Sequence, residues 1–357
     1  MNLLKVDGAY GEGGGQILRT SLALAALIKE PVEIYNIRAG KRKPGLKPQH
    51  LMSAMAVAEI TGGSLEGNEL NSQTLRLFPG AVRGGRYTFD VSTLRSSSGS
   101  TGLIFQTILP ALSFAERPSE VTIRGGTHVP WSPPSDYLKC AFLPTAGEMG
   151  IKVGFENTRY GFYPLGGGEI KVGIGLSLRP LKPISLIERG ELKRLYITSA
   201  VANLPISIAE RQRDKAIARI RGKGLETECA IKEVPSPGKG TFVFILAEFE
   251  DIRIGFSSLG AVGKKAEAVA DEAVDEFLGY LNGSGATDPH IADQLILYMA
   301  LADGESTITT TEVTNHLLTN IHVIERFLPA RFKIEEGDKT EKVISVKGIG
   351  LTEQRNT

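Results

Sequence analysis

A chain of 357 residues with 41 Lys plus Arg against 40 Asp plus Glu, and a formal net charge of +1, is not polybasic along its whole length, so contact with a polyanion must be regional. The length exceeds one ordinary hydrophobic core and implies two domains, or one large domain carrying an insertion. Cys140 and Cys229 lack partners at metal-ligand spacing, no apolar run reaches membrane-spanning length, and the first residues lack a charged-then-apolar signal pattern, so disulfide scaffolds, zinc sites and membrane proteins are set aside and a cytoplasmic protein is expected.

The apolar run 3–6 leads into DGAYGEGGGQILRTSLALAALI at 7–28. Gly8, Gly11, Gly13, Gly14 and Gly15 leave the backbone almost bare. Ile17, Leu18, Leu22, Ala25 and Ile28 then recur at helical spacing, which predicts a helix from about Gln16 with its first N–H groups in the glycine loop. Bare donors at a helix start favour phosphate. Glu12 inside the loop would repel that phosphate unless a divalent cation bridges them or an arginine such as Arg19 offsets the charge. The plain alternative is a tight strand-to-helix turn with a solvated Glu12, and the spacing is neither a P-loop nor a dinucleotide fingerprint.

A strand at 32–37, a basic loop at 38–47, a helix at 49–60 and strands at 64–66, 74–78 and 87–91 complete a first block. The order recurs as a Ser/Gly loop at 96–102, a helix to 112, a strand at 121–124, a Pro-rich loop, a helix at 135–149 and strands at 152–156 and 169–173. It recurs again as a loop at 283–289, a helix at 291–301, a strand at 306–311, a helix at 316–328 and strands at 332–335 and 342–346. Three units of two helices and four strands would each bury their helices on one sheet face and pack around a pseudo-threefold axis, an α/β fold in α+β layers. Between them the order changes: a strand at 195–200, a helix at 206–221, strands near 226–232, 241–247 and 252–256, and a helix at 264–281. Residues 1–183 and 285–357 are therefore expected to form the large domain and 184–284 a smaller inserted one, joined through Pro180, Pro183 and Gly283-Ser284-Gly285.

Five further stretches carry candidate chemistry. Arg38, Lys41, Arg42, Lys43, Lys47 and His50 follow one another with no acid between them, a density suited to phosphates. Residues 211–223, RQRDKAIARIRGK, hold six basic residues opposed only by Asp214, but Ile217 and Ile220 make the segment an ordinary amphipathic helix with a solvated face, and only secondarily a nucleic-acid contact. The loop GGTHVPWSPP at 125–134 could wall a base slot with its prolines and Trp131, or merely set chain direction. His290 precedes IADQL, where Asp293 and Gln294 stand on the entrance turn of a helix and a Gln amide could pair with an adenine edge. His316 opens another helix, where the dipole is expected to hold it near its neutral, nucleophilic form; a cap or a packed polar residue is the plain reading of such a histidine.

In this order GAYGEGGGQILRTSLAL, IRAGKRKPGLKPQHL, GGTHVPWSPPSDYL, HIADQLILYMALA and NHLLTNIHVIERFLP resemble the motifs of RNA terminal 3'-phosphate cyclases, over nearly the whole chain and least distinctly in the inserted segment. The resemblance implies three repeats with an insertion before the last. It also implies an ATP-dependent ligase that forms a covalent histidine–AMP, passes AMP to an RNA 3'-phosphate, and lets the neighbouring 2'-hydroxyl close a 2',3'-cyclic phosphate. By motif position His316 resembles the adenylated histidine. Gln106, Pro133, His290, Ile291, Ala292, Asp293 and Gln294 look like ATP-contacting positions, and Glu12 like a carboxylate for a divalent metal, Mg or Mn. Arg19, Arg38, Lys41, Arg42, Gln49 and His50 match phosphate or activity positions. The partners implied are ATP and an RNA 3' end, with no membrane, and a homodimer is left open. The chain departs from the family pattern in having His290 where a tyrosine can stand, Lys41 in place of an arginine, and a longer 93–98 loop whose Arg95 has no assigned role. Two rival readings are a non-catalytic RNA-processing scaffold of the same family and an enolpyruvyl transferase-like enzyme, the second of which would leave His316 idle.

Overall fold

Short strands alternating with apolar helices assemble into four four-stranded sheets in a computed structural model that describes residues 3–94 and 97–353. Arg95 lies outside the described residues. The first unit comprises β1 (Leu4–Asp7), α1 (Gly15–Ile28), β2 (Val32–Tyr35), α2 (Pro48–Thr61), β3 (Ser64–Glu66) and β4 (Leu75–Phe78), in sheet order β1-β2-β4-β3. Only β1 and β2 are parallel, as a strand–helix–strand crossover requires. α1 is buried on every side from Ile17 to Ile28, the mark of a central helix rather than a surface one.

The second unit begins with β5 (Arg86–Asp90), followed by α3 (Thr101–Ser113), β6 (Ser119–Gly125), α4 (Ser135–Tyr137), a π turn (Leu138–Phe142), α5 (Leu143–Glu148), β7 (Val153–Arg159) and β8 (Gly168–Ile174). β5 pairs parallel with β6, so the strand expected to end the first block instead opens the second. Its position before a loop and a crossover helix is that of β1, and this decides its partner. The helix expected at 135–149 is interrupted because Pro144 has no N–H to continue the α pattern, and the N–H of Leu143 reaches back to the Leu138 carbonyl.

β9 (Ser185–Leu186) follows, then β10 (Leu192–Ala202), α6 (Ile206–Arg221), β11 (Glu228–Glu233), β12 (Gly240–Phe249), β13 (Arg253–Leu259) and α7 (Ala266–Asn282). The strands from β10 to β13 form a separate sheet, β11-β10-β12-β13. Three basic residues of α6 are tied to acids of α7, Arg211 to Glu267, Lys215 to Asp271 and Arg219 to Asp271 and Asp275, so this part of the helix is an inter-helix ion ladder. The chain closes with α8 (Pro289–Leu301), β14 (Glu305–Thr310), α9 (Asn315–Phe327), β15 (Phe332–Glu336) and β16 (Lys342–Lys347). β9 pairs parallel with β14 through Ser185 and Leu186, which places these residues in the third sheet and not in the segment 184–284 expected to be inserted. A two-residue strand beside Pro183 carries no periodicity from which to read it. With β9 included, three sheets share one order, first-second-fourth-third. α1 packs against α2, α3 and α9, and α9 against α8, which brings the helix starts of the first and third units together.

Candidate active site

β1 and β2 are parallel, so their carboxyl ends deliver two loops to one place: the glycine loop after Asp7 and the basic loop after Tyr35. In α/β sheets this is where ligands bind. The glycine loop is fixed by its own backbone, with the N–H of Gly8 donating to the Tyr35 carbonyl at 2.7 Å, that of Ala9 to Asp7 Oδ1 at 3.0 Å and that of Gly13 to the Tyr10 carbonyl at 2.9 Å. Its far side lies on α9, where the N–H of Glu12 donates to Thr319 Oγ1 at 3.3 Å. Gly11 has φ +55° and a Cβ there would meet Thr319 Oγ1 at 2.3 Å, so a side chain is excluded by both space and backbone. α1 starts at Gly14 without a side-chain cap, which leaves its first N–H groups to an anion.

A hydrogen-bond chain links that helix start to His316. Arg19 Nη2 donates to Gln16 Oε1 at 2.6 Å, Gln16 Nε2 to Thr20 Oγ1 at 3.0 Å, and Thr20 Oγ1 to Asn320 Oδ1 at 2.6 Å. Asn320 Nδ2 donates to the Asp293 carbonyl at 3.1 Å and to its Oδ1 at 3.2 Å, while Asp293 Oδ2 lies 2.9 Å from His316 Nδ1. Asp293 thus faces the histidine. The neutrality expected for His316 is corrected as well: burial opposes its charge, but the Asp293 hydrogen bond and charge, aided by Glu12, outweigh burial and the opposing Arg19, and raise its pKa. With Nδ1 engaged by a carboxylate, Nε2 is the nitrogen left for chemistry.

His50 and Arg19 close the site from the other side. A Cβ on Gly15 would come within 2.4 Å of His50 Nε2 and 2.8 Å of Arg19 Nη1. His50 Nδ1 accepts the Lys47 N–H at 3.2 Å, which puts the imidazole proton on Nε2. Burial, then the charges of Arg19, Arg38 and Lys47, hold the His50 pKa well below the ordinary value. Burial lowers Arg19 to about 10 against the pull of Asp293 and Glu12, so it stays cationic at neutral pH. Arg38 sits at φ +56° with its Nε buried and without a hydrogen-bond partner, a donor awaiting an acceptor. Glu12 pairs with Lys41 at 3.6 Å, so its direct cationic neighbour is this lysine and not Arg19. Lys47 is spent on the loop itself, donating to the Pro44 carbonyl and Asn71 Oδ1 at 2.7 and 2.9 Å.

The remaining expected positions scatter around this centre. Arg42 is exposed, and Gln49 Oε1 accepts the Ser100 N–H at 3.0 Å, joining α2 to the start of α3. Gln106 is half-buried on α3, and the Pro133 carbonyl lies against Gly102 at the start of that helix. His290 is exposed and edge-on to Tyr137 at 6.2 Å. The side chains of Ile291 and Ala292 are core, and their N–H groups are taken by Asp288. Gln294 is half-buried with its Oε1 lacking a partner, as an amide waiting for a donor would be. Trp131 is 98% exposed at φ +64°. The motif reading missed Gln16, Thr20, Thr319 and Asn320. Their signal was present as polar residues at helical spacing, Gln16 with Arg19 and Thr20 on α1, and Asn320 four residues beyond His316.

Among the described residues no three or more His, Cys, Asp or Glu converge to hold a metal. Glu12 supplies one carboxylate on the glycine loop, and one or two carboxylates with substrate phosphates are a donor set that suits Mg²⁺.

Residues 10–334 match the RNA 3'-terminal phosphate cyclase family. A protein of Methylococcus capsulatus named RNA 3'-terminal phosphate cyclase is 41% identical across 98% of this chain and 97% of its own. Proteins of the same name from Staphylothermus marinus and Methanothermobacter thermautotrophicus are each 41% identical, the first over 99% of this chain and 100% of its own, the second over 93% and 96%.

Proposed function

Because the chain belongs to the RNA 3'-terminal phosphate cyclase family, we propose that it converts an RNA 3'-phosphate into a 2',3'-cyclic phosphodiester at the expense of ATP, with His316 as the covalent carrier of AMP. The observation that supports this most directly is His316 Nδ1 engaged by Asp293 at 2.9 Å, which leaves Nε2 as the nucleophile and a carboxylate behind it to stabilise the positive charge that develops on attack.

A 3'-phosphate monoester is not closed by its own 2'-hydroxyl, because the leaving group would be oxide. Activation removes that obstacle in three balanced transfers. His316 Nε2 attacks the α-phosphorus of ATP, a P–N bond forms, and pyrophosphate leaves with the electrons of the broken P–O bond. An oxygen of the RNA 3'-phosphate then attacks the same phosphorus, and the P–N bond returns its electron pair to Nε2, giving RNA-(3')pp(5')A. The 2'-hydroxyl oxygen finally attacks the 3'-phosphorus, AMP leaves with the anhydride bond's electrons, and the hydroxyl proton is released.

Arg19, the unmet Arg38 Nε, the Nε2–H of His50 and the open start of α1 are the donors that offset phosphate charge. Gln294, Gln106, His290 and Pro133 form the adenine side. A divalent cation held by Glu12 would supply further charge neutralisation between phosphates, with Lys41 taking over part of that task. The test is intact mass after incubation with ATP. One AMP should be gained through a bond labile to acid and comparatively stable to alkali. Its absence from protein that is otherwise folded refutes the reading.

A further inference from the structure

The proposed chemistry uses the glycine loop for phosphates and leaves unexplained what its tip displays. Tyr10 stacks on His322 with ring centroids 3.7 Å apart and planes within 14°. His322 covers one face of the phenol ring, yet Tyr10 remains 46% exposed, so the opposite face is open to solvent. The ring is held in place by the loop. The Tyr10 N–H donates to the Asp7 carbonyl, its own carbonyl accepts the Gly13 N–H, and Gly11 and Glu12 beside it rest on Thr319. A large aromatic face fixed before any ligand arrives loses little freedom on binding.

Its position relative to the nucleophile follows from α9, which carries both His316 and His322. Six residues of helix advance roughly 9 Å, and Thr319 between them carries the loop. The aromatic pair therefore stands at least this far from His316, about a third of a turn round the helix, on the side where Thr319 meets the glycine loop. The same edge is basic: Lys41 reaches Glu12 at 3.6 Å, and Arg42 and Lys43 follow it exposed. An open aromatic face beside a cationic loop is the combination by which proteins hold single-stranded nucleic acid, bases on the ring and backbone on the charges. The adenine side proposed at Gln294, Gln106, His290 and Pro133 draws on α8, α3 and the 125–134 loop, so the Tyr10 face is left for the other substrate.

We propose that the Tyr10–His322 pair is the platform on which the base of the RNA's 3'-terminal nucleotide stacks, which steers the 3'-phosphate toward His316. This rests on the RNA 3'-phosphate reading above. Tyr10 acts as a positioning residue, with no contact to the reacting atoms. The test uses full-length protein and a short RNA 3'-phosphate carrying 2-aminopurine at the 3'-terminal base, or at the 5' end as a control. The wild type should quench the terminal fluorophore and not the 5' one. Tyr10→Ala should abolish the quench and raise KM for RNA about tenfold, as expected for one lost base–aromatic stack, and Tyr10→Phe should restore both. RNA that binds by anisotropy and is cyclised, with a terminal quench that ignores Tyr10→Ala, overturns the platform and leaves the cyclase reading standing. A rise in KM for ATP in place of RNA also overturns it, by assigning the ring to the nucleotide. A wild type that neither binds nor cyclises the RNA overturns both.

Discussion

Two histidine–aspartate pairs in this molecule have nearly the same geometry and opposite surroundings. His316 Nδ1 lies 2.9 Å from Asp293 with 38% of the histidine side chain exposed, whereas His128 Nε2 lies 3.0 Å from Asp136 with the histidine side chain fully buried. Thr127 Oγ1 sits 3.1 Å from His128 Nδ1, so the second site even has the hydroxyl–imidazole–carboxylate order of a hydrolytic triad. It cannot act as one. The rings of Tyr160, Phe162 and, from the separate sheet, Phe242 pack on His128 at 5.0, 5.7 and 4.3 Å, and Thr127 Oγ1 accepts the Gly161 N–H. That pair pins the 125–134 loop between two sheets. Access to solvent, and to donors still lacking acceptors, distinguishes the two pairs, and distance alone does not.

Deleting each histidine separates the two pairs most widely. His316→Ala should bind ATP and gain no AMP by intact mass, a complete loss of the adduct. His128→Ala should still form the adduct wherever it remains folded. An AMP adduct on His316→Ala, or none on folded His128→Ala, would reverse the assignment.

Removing the carboxylate partner should be graded. Asp293→Asn keeps the shape but loses the charge that outweighs burial at His316. Adenylation should fall about 10–100-fold, the usual cost of losing the group that orients a functional histidine. The sign of the pH effect follows from the raised pKa. Nε2 is nucleophilic only when the imidazole is neutral, so the wild-type rate should climb with pH through a value above that of an ordinary histidine. In Asp293→Asn the same limb should move to lower pH, and an unmoved limb would show that Asp293 does not control this proton.

The buried pair should instead register in stability. His128→Ala leaves the Asp136 carboxylate without its imidazole partner and empties a site packed by Tyr160, Phe162 and Phe242, which should cost about 1–3 kcal/mol for the unmet polar group alone, measurable by urea unfolding. His316→Ala, at a half-exposed site, should cost much less. Equal losses would mean that the two pairs do the same work.

How much of this was legible in the sequence differs between the two regions. The glycine loop, the basic loop and His316 stood out because charge density and bare backbone are local properties. The roles of Asp293, Gln16, Thr20 and Asn320 were not legible, because their meaning depends on α1, α8 and α9 meeting across some 300 residues of chain. The helix-dipole argument for a neutral His316 failed for the same reason: a carboxylate from another helix outweighs a dipole. In the fold, periodic helices and most strands were readable. β9 and the allegiance of β5 were not, since pairing partners are chosen by crossover topology. His128 looked like one more residue of a Pro-rich loop because its partners Tyr160 and Phe242 are distant in sequence.

The smallest expected effect tests which member of each pair carries the pH dependence of folding. At the buried site Asp136 contributes to it. Burial pushes Asp136 up, but the His128 hydrogen bond and charge, with Lys232 and Lys139, more than offset it and leave its pKa lowered. A carboxyl depressed on folding contributes stability that is present above its unfolded pKa, about 3.9, and is lost as pH falls through the lower folded value. At the open site it is the histidine. A raised His316 contributes stability fully present below the unfolded value of about 6.5 and lost as pH rises through the folded value. The stability difference between wild type and Asp136→Asn should therefore hold from neutral pH down to about 4 and narrow below it. That between wild type and His316→Gln should be larger at pH 5.5 than at pH 8.5, flanking the ordinary histidine value of about 6.5. Urea unfolding at these pH values decides it, and a His316→Gln difference that grows with pH would mean that burial, and not Asp293, dominates the proton on His316.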